Sequence, residues 1–318
     1  MNQFLQAISE AQTIVILGHI RPDGDCVGSC TGMYNYITDN YPEKQVDIYL
    51  GDFDDKFLFL RGADMISHAA DTGKTYDLCL ALDCASTDRF GEFGVYYETA
   101  KRKAAIDHHA SNPGYGDICL VRPDASAACE AIYGILERDK ISRYCAESLY
   151  LGIVHDTGVF KHSNTTKETM CVAGDLIALG ANPQKTIDDT FYSKTFMQNQ
   201  ILGQALLNSH MELDGQCIVT CLRKDVFDHY HASSVDVDGV VDQIRVTRGI
   251  EVAVFYYEYE PNVYKFSLRS NVKVDVSKIA LTHDGGGHIR AAGFSLAGEQ
   301  AEIEAQVLAQ IAQALKEA

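Results

Sequence analysis

The chain has 318 residues, of which 46% are hydrophobic, and a formal net charge of −17 from 27 basic and 44 acidic residues. This length predicts two domains, each large enough to bury its own core. The acidic balance argues against a protein that coats long nucleic acid, because such binding draws its affinity from many phosphate contacts. The apolar stretches fall short of the roughly 18 residues needed to span a membrane, and residues 1–10 lack the basic region of a signal peptide, so we expect a cytoplasmic protein.

The first half of the chain alternates apolar runs with helical patterns. Strands are predicted at residues 13–17 and 46–50 and near residues 78 and 104, with a helix at about 25–36. This alternation indicates a doubly wound α/β domain with a mostly parallel sheet. Gly24 and Gly28, at the start of that helix, are interpreted as glycines that shape a loop.

Helical patterns then follow as far as the predicted domain boundary. Ser126 is the expected cap of a helix that continues to residue 137, and two further helices are predicted at 144–155 and 166–179. We assign residues 1–189 to the first, catalytic domain and residues 190–214 to a linker helix.

Residues 215–318 are predicted to form a smaller α/β domain that binds the substrate. Its strands are expected at 218–222, 252–259 and 263–268, of which the last two form a hairpin. Four apolar residues then share one stripe of a final helix: Ile303, Val307, Ile311 and Leu315. Core packing is preferred over a dimer contact for this stripe, and a homodimer stays open as the alternative.

The ten cysteines are scattered through apolar segments without the paired spacing of a zinc site. They are interpreted as small buried hydrophobic residues, which suits a reducing cytoplasm.

Carboxylates and imidazoles recur at the ends of hydrophobic segments. Six of them are candidate metal ligands: His19, Asp23, Asp25, Asp83, His108 and Asp156. In parallel α/β sheets the carboxyl ends of the strands are where ligands bind, so most of these side chains are expected to converge. Asp156 follows a helical pattern instead, and the end of that helix can aim it into the same crevice. Taken singly, each residue also fits a structural role, as a helix cap or a core histidine.

Four carboxylates with two imidazoles favour hard to borderline divalent cations, and manganese is preferred over magnesium. Because crowded carboxylates repel one another, two divalent ions are the natural neutraliser, with Asp83 as the bridge between them. Two metals roughly 3.5–4 Å apart stabilise both the attacking and the leaving oxygen of a phosphoester displacement. The sequence therefore predicts hydrolysis of a phosphoester.

Four segments resemble the motifs of the DHH phosphoesterases. They are Gly18-His19-Ile20-Arg21-Pro22-Asp23-Gly24-Asp25, Leu82-Asp83, Asp107-His108-His109 and Asp156-Thr157-Gly158. The resemblance implies one metal held by His19, Asp23 and Asp83, and a second held by Asp25, Asp83, His108 and Asp156. It also implies that His109 lies beside the substrate phosphate as a donor or proton carrier, and that Asp107 orients a histidine from outside the ligand set.

The carboxyl-terminal part resembles the DHH-associated substrate domain. The resemblance rests on Gly285-Gly286-Gly287-His288 and the following Ala291-Ala292-Gly293-Phe294, and it implies that this segment and Arg269 contact the substrate. In length and arrangement the chain is similar to the branch of bifunctional oligoribonucleases and phosphoadenosine-phosphate phosphatases.

The substrates that this branch implies are short oligoribonucleotides, linear dinucleotides and 3′-phosphoadenosine 5′-phosphate. The second domain is expected to grip a terminal nucleotide and so to limit the length of the substrate. An inorganic pyrophosphatase and a catalytically weak nucleotide sensor are the alternatives.

Overall fold

The computed structural model describes residues 2–71 and 73–317. The chain folds into two compact units, Met1–Ser193 and Lys194–Ala318. None of the helices within the described segments combines the length and the apolar character required to cross a bilayer.

The first unit is built on a six-stranded parallel sheet. Its strands are β1 (Thr13–Leu17), β2 (Gln45–Tyr49), β3 (Ile66–Ser67), β4 (Leu78–Leu82), β5 (Arg102–Asp107) and β6 (Ile118–Val121). They are ordered β3-β2-β1-β4-β5-β6, and every neighbouring pair is parallel. In this order the chain progresses outward in both directions from β1 and β4, so the switch point where α/β sheets bind ligands lies between these two strands.

Helices of the first unit pack on the sheet and on one another. They are α1 (Gln3–Glu10), α2 (Gly24–Asn40), α3 (Gly94–Thr99), α4 (Ala128–Tyr133), α5 (Arg143–Asp156), α6 (Lys167–Ala178) and α7 (Pro183–Ile187). One core joins the sheet to α1, α2, α4 and α5, while a smaller core on the opposite face includes residues of α3. The predicted doubly wound α/β fold is therefore confirmed.

The second unit contains a mixed six-stranded sheet. Its elements are α8 (Phe196–Leu207), β7 (His210–Glu212), β8 (Cys217–Leu222), α9 (Lys224–Tyr230), α10 (Val240–Arg245), β9 (Val252–Glu260), β10 (Val263–Ser270), α11 (Val276–Leu281), β11 (Gly286–His288), β12 (Ala291–Ala297) and α12 (Gln300–Glu317). The strand order is β11-β12-β10-β9-β8-β7. Strands β9 and β10 form the expected hairpin.

Each face of the second sheet has its own core. Residues of α11 and α12 pack on one face, and residues of α8 and α10 pack on the other. Three residues of the predicted stripe on the last helix, Ile303, Val307 and Ile311, are buried in the first of these cores, and Leu315 packs against it. This burial accounts for the stripe by core packing within the unit.

Two expectations about glycines and helix caps are wrong. Gly28 lies inside α2, where a Cβ atom would come 2.5 Å from the carbonyl oxygen of Ser148 on α5, so it permits close helix packing and does not shape a loop. Gly24 is the first residue of the same helix. Ser126 does not cap α4, because Ala127 is the N-cap residue and the Ser126 hydroxyl donates a hydrogen bond to Glu130 at 2.5 Å.

The interpretation of the cysteines is correct for most of them and wrong for two. Cys119 and Cys171 are exposed, whereas seven of the others are buried and Cys221 is half-buried. All ten are free thiols. The buried thiols fill space in the apolar cores, as small hydrophobic residues do.

Candidate metal centre

Three parallel strands deliver side chains to one edge of the first sheet. His19 follows β1, Asp83 follows β4 directly, and Asp107 is the last residue of β5 with His108 next to it. Because β1, β4 and β5 are adjacent and parallel, their carboxyl ends meet at the switch point of the sheet. Asp156, the last residue of α5, reaches the same place from the end of that helix.

Asp83 lies between two groups of ligand-type atoms. Its Oδ2 atom is 3.6 Å from His19 Nε2, and its Oδ1 atom is 3.7 Å from His108 Nε2. Around His19 the group also includes Asp23, whose Oδ1 atom is 3.8 Å from the same nitrogen. Each oxygen of one carboxylate therefore faces a different group.

The second group gathers around His108. Its Nε2 atom lies 3.1 Å from Asp156 Oδ2 and 3.9 Å from Asp25 Oδ2. Ligand atoms of Asp25, His108 and Asp156 all lie within 4.8 Å of one another. The structure thus brings all six predicted ligand side chains into one cluster.

The donor set fits divalent cations. Asp83 is only 2% exposed, and its Oδ1 atom is buried without a hydrogen-bond partner among the described residues. A buried polar atom of this kind is costly unless a ligand satisfies it. The backbone of Asp83 also has a left-handed φ of 51°, an uncommon conformation for a non-glycine residue that persists where the surrounding structure imposes it. These features indicate a position shaped for a ligand.

The electrostatics of the metal-free cluster lead to the same conclusion. Burial, together with the charge of Asp23, raises the pKa of Asp83 to about 6 despite the nearby histidines. Burial opposes the charged form of His108, but the hydrogen bond to Asp156 and the surrounding carboxylates raise its pKa to about 10. Protons thus balance the carboxylates when no cation is present, and binding of a cation would release them.

Asp25 is positioned by backbone amides as well as by the cluster. Its side chain is buried, and it accepts hydrogen bonds from the N–H groups of Ala128 at 2.6 Å and Cys129 at 3.1 Å. These amides belong to the first turn of α4, where the helix dipole favours negative charge. Gly152 of α5 packs so closely that a Cβ atom there would lie 2.5 Å from Asp25 Oδ1.

His109 is hydrogen-bonded to Asp107 at the border of the cluster, with its Nδ1 atom 3.7 Å from Asp83 Oδ1. Its Nδ1 atom is 2.7 Å from Asp107 Oδ1, and this hydrogen bond is the main reason that the pKa of His109 is raised. The other carboxylate oxygen of Asp107 accepts a hydrogen bond from Asn112 at 2.7 Å. The side chain of His109 is 38% exposed, whereas that of Asp107 is buried.

Several residues of this centre were not predicted from the sequence. Arg89, which had no assigned role, places a guanidinium nitrogen 3.0 Å from His19 Nδ1, and the Ile20 carbonyl lies 2.9 Å from the same atom. Asn112 gives no sequence signal. Gly152 gives one, because a glycine inside a predicted helix is unfavourable and calls for a packing reason.

The predicted substrate residues lie in the second unit and differ in their surroundings. Arg269 is part of β10 instead of following it, and it donates a hydrogen bond to Asp242 at 3.2 Å. Gly286, Gly287 and His288 form strand β11 at the edge of the sheet, paired with β12. The glycine-rich segment is therefore an exposed edge strand.

The three glycines are not equivalent. A Cβ atom at Gly285 or Gly287 would collide with the backbone of β12, whereas a Cβ atom at Gly286 would meet nothing within 4 Å. The fold therefore accounts for Gly285 and Gly287. Packing does not explain why the residue at position 286 is a glycine.

Comparisons with known protein families agree with this architecture. Residues 13–153 match the model of the DHH family, N-terminal domain, and residues 214–317 match the DHHA1 domain. The two matches together cover most of the chain. The chain therefore contains a DHH domain and a DHHA1 domain, which confirms the predicted class of metal-dependent phosphoesterase hydrolases.

Several similar proteins share one description. The chain is 27% identical to a bifunctional oligoribonuclease and PAP phosphatase of Bacillus subtilis, over 93% of each chain. It is 29% identical to the protein of the same description from Thermus thermophilus, over 90% of this chain and 84% of the relative. A solved structure of an exopolyphosphatase-related protein from Bacteroides fragilis, 24% identical, superposes with a TM-score of 0.85 over 98% of this chain and 96% of the other, which shows the shared fold.

Proposed function

We propose that this chain hydrolyses short oligoribonucleotides and linear dinucleotides to mononucleotides, and 3′-phosphoadenosine 5′-phosphate to AMP. The observation that carries the proposal is the position of Asp83, with one oxygen toward His19 and the other toward His108. Relatives described as bifunctional oligoribonuclease and PAP phosphatase, which align over nearly the full chain, support this choice of substrates.

In this proposal His19, Asp23 and Asp83 hold one divalent cation, and Asp25, Asp83, His108 and Asp156 hold the second. Manganese is preferred over magnesium because imidazoles accompany the carboxylates. When bound, two such ions supply Lewis acidity and charge neutralisation for an in-line displacement at phosphorus.

The remaining side chains position the substrate. Asp107 accepts a hydrogen bond from Nδ1–H of His109, which orients the ring and raises the pKa of His109; in the imidazolium form that this favours, Nε2–H also donates to a phosphate oxygen. In the second unit, Arg269 offers its planar fork to a terminal phosphate, and Gly286 and His288 contribute the edge of β11. Asp242 keeps the Arg269 side chain in place through its hydrogen bond.

The test is product analysis by chromatography after incubation with linear diadenylate or 3′-phosphoadenosine 5′-phosphate, with manganese and with chelator. AMP that forms with manganese and not with chelator supports the proposal, and an Asp83→Asn protein of the same size and shape should form none. Release of phosphate from pyrophosphate without AMP from either nucleotide would favour a pyrophosphatase. Tight binding without turnover would favour a sensor.

Two further properties remain proposals. We propose a cytoplasmic location on the basis of the free thiols, and fractionation of cells tests it. A homodimer would appear in light scattering as twice the mass of the chain.

A further inference from the structure

A cavity of about 550 Å³ lies on one face of the second sheet. Side chains from three neighbouring strands line it, and the strand pairing places them in one cross-strand row: Tyr257 on β9, Lys265 on β10 and Ser295 on β12. Its size falls within the range of roughly 300–1,000 Å³ typical of small-molecule sites.

This cavity shares a sheet face with the predicted substrate residue Arg269. Side chains alternate along β10, so that Tyr264, Phe266 and Leu268 are buried on the α12 side while Lys265, Ser267 and Arg269 project from the other face. Lys265 and Arg269 are four positions apart along the strand, which corresponds to about 13 Å. One terminal nucleotide held at Arg269 does not span this distance, whereas a chain of linked nucleotides does.

The walls of the cavity combine aromatic rings with polar groups. Phe227 and Tyr257 are stacked with ring centroids 5.1 Å apart, and Tyr259, which is 43% exposed, continues the aromatic wall. Ser295 adds an exposed hydroxyl. Aromatic surfaces of this kind stack on nucleobases without regard to sequence.

Lys265 is the lysine of the cavity whose ammonium group has no carboxylate partner among the described residues. Lys224 lies 3.3 Å from Asp228, and Glu258 accepts hydrogen bonds from the backbone N–H groups of Lys224 and Asn262. Across residues 2–71 and 73–317, no carboxylate forms an ion pair with Lys265. Its ammonium group is therefore free to contact a phosphate.

We propose that this cavity binds a further nucleotide of the substrate, beyond the one held at Arg269, with its base on the Tyr259 side and its phosphate at Lys265. The inference rests on the proposed function and adds a determinant of substrate length. Substrates of three to five nucleotides gain contacts here that a dinucleotide does not reach.

The experiment measures KM for diadenylate and tetraadenylate over a series of salt concentrations. For Lys265→Ala, the slope of log KM against log salt concentration for the tetranucleotide should fall by about 0.7, the value of one phosphate contact on a single strand, with no change for the dinucleotide. For Tyr259→Ala, KM for the tetranucleotide should rise by at least about fivefold at an unchanged salt slope. Tyr259→Phe should restore it.

Lys316→Ala is the matched control, because this exposed lysine lies on α12, which packs on the other face of the sheet. Equal effects of Lys265→Ala on both substrates, or no effect on either, would overturn the subsite. If the wild type does not hydrolyse diadenylate at all, the proposed function fails separately. The subsite is then judged by equilibrium binding of tetraadenylate in chelator, which Lys265→Ala must weaken relative to Lys316→Ala.

Discussion

Gly152 links the packing of two helices to the candidate metal centre. It lies inside α5, and a Cβ atom there would come 2.5 Å from Asp25 Oδ1 and would also overlap the Sγ atom of Cys129. In Gly152→Ala, the new methyl group must therefore displace the carboxylate or separate α5 from α4. Overpacking of this kind costs about 1–3 kcal/mol.

A matched variant isolates this cost. Gly174 lies inside α6, where a Cβ atom would meet nothing within 4 Å. Either alanine gains about 1 kcal/mol of helix propensity over glycine, so the difference between the two variants is the clash alone, about 1–3 kcal/mol. For a unit of this size, each kcal/mol corresponds to about 2–4 °C in the midpoint of thermal unfolding.

The assay is thermal unfolding of both variants in chelator, followed by titration with manganese. Gly174→Ala should unfold at or above the wild-type temperature, and Gly152→Ala should unfold below Gly174→Ala. Since Asp25 is displaced, Gly152→Ala should also bind manganese about 10–100-fold more weakly. If Gly152→Ala matched Gly174→Ala in both measurements, the close approach of α5 to Asp25 would be incorrect.

Four further predictions concern single side chains. Asp83→Asn should abolish turnover. The midpoint of thermal unfolding in chelator should stay the same or rise slightly, because the change removes a buried charge with an unpaired oxygen; a marked loss of stability would show that Asp83 is structural. Gly286→Ala should retain the fold, because the position is open, and raise KM for dinucleotide several-fold; an unchanged KM would remove Gly286 from the substrate site. Asp107→Ala should lower kcat about 10–100-fold through misorientation of His109 while manganese affinity is retained, and an equal loss of manganese affinity would contradict a positioning role. Burial lowers the pKa of His155 to about 4, whereas the unfolded chain binds this proton near pH 6.5. As the pH falls from 6.5 to 4, the free energy of unfolding in chelator should therefore decrease by up to about 3 kcal/mol, and His155→Phe should remove that loss. Parallel pH profiles of the two proteins would refute it.

Much of the fold could be predicted because strongly periodic segments carry their own signal. The strand at residues 13–17 agrees with the structure, and the apolar run Leu78–Leu82 is buried throughout, as expected for a strand covered on both faces. Where the local pattern was weak, the predictions were wrong. Ser126 looked like a helix cap, but a buried Glu130 competes for its hydroxyl.

The sequence by itself determined which chemical groups are present and where on the elements they stand. A histidine or aspartate that follows a buried strand must emerge at the carboxyl edge of the sheet, so His19, Asp83 and His108 could be placed without coordinates. Only the tertiary structure decided how these groups face one another. That Asp83 directs one oxygen to each histidine depends on the strand order and on its left-handed backbone.

The roles of the glycines were decided in the same way. Gly28, Gly152 and Gly286 are identical in the sequence, yet one admits a helix, one leaves room for a carboxylate, and one lies in open space at a sheet edge. A missing side chain acquires meaning only from the atoms that approach it, and those atoms come from distant parts of the chain. For this reason the sequence specified the chemical groups of the candidate metal centre, while their geometry required the fold.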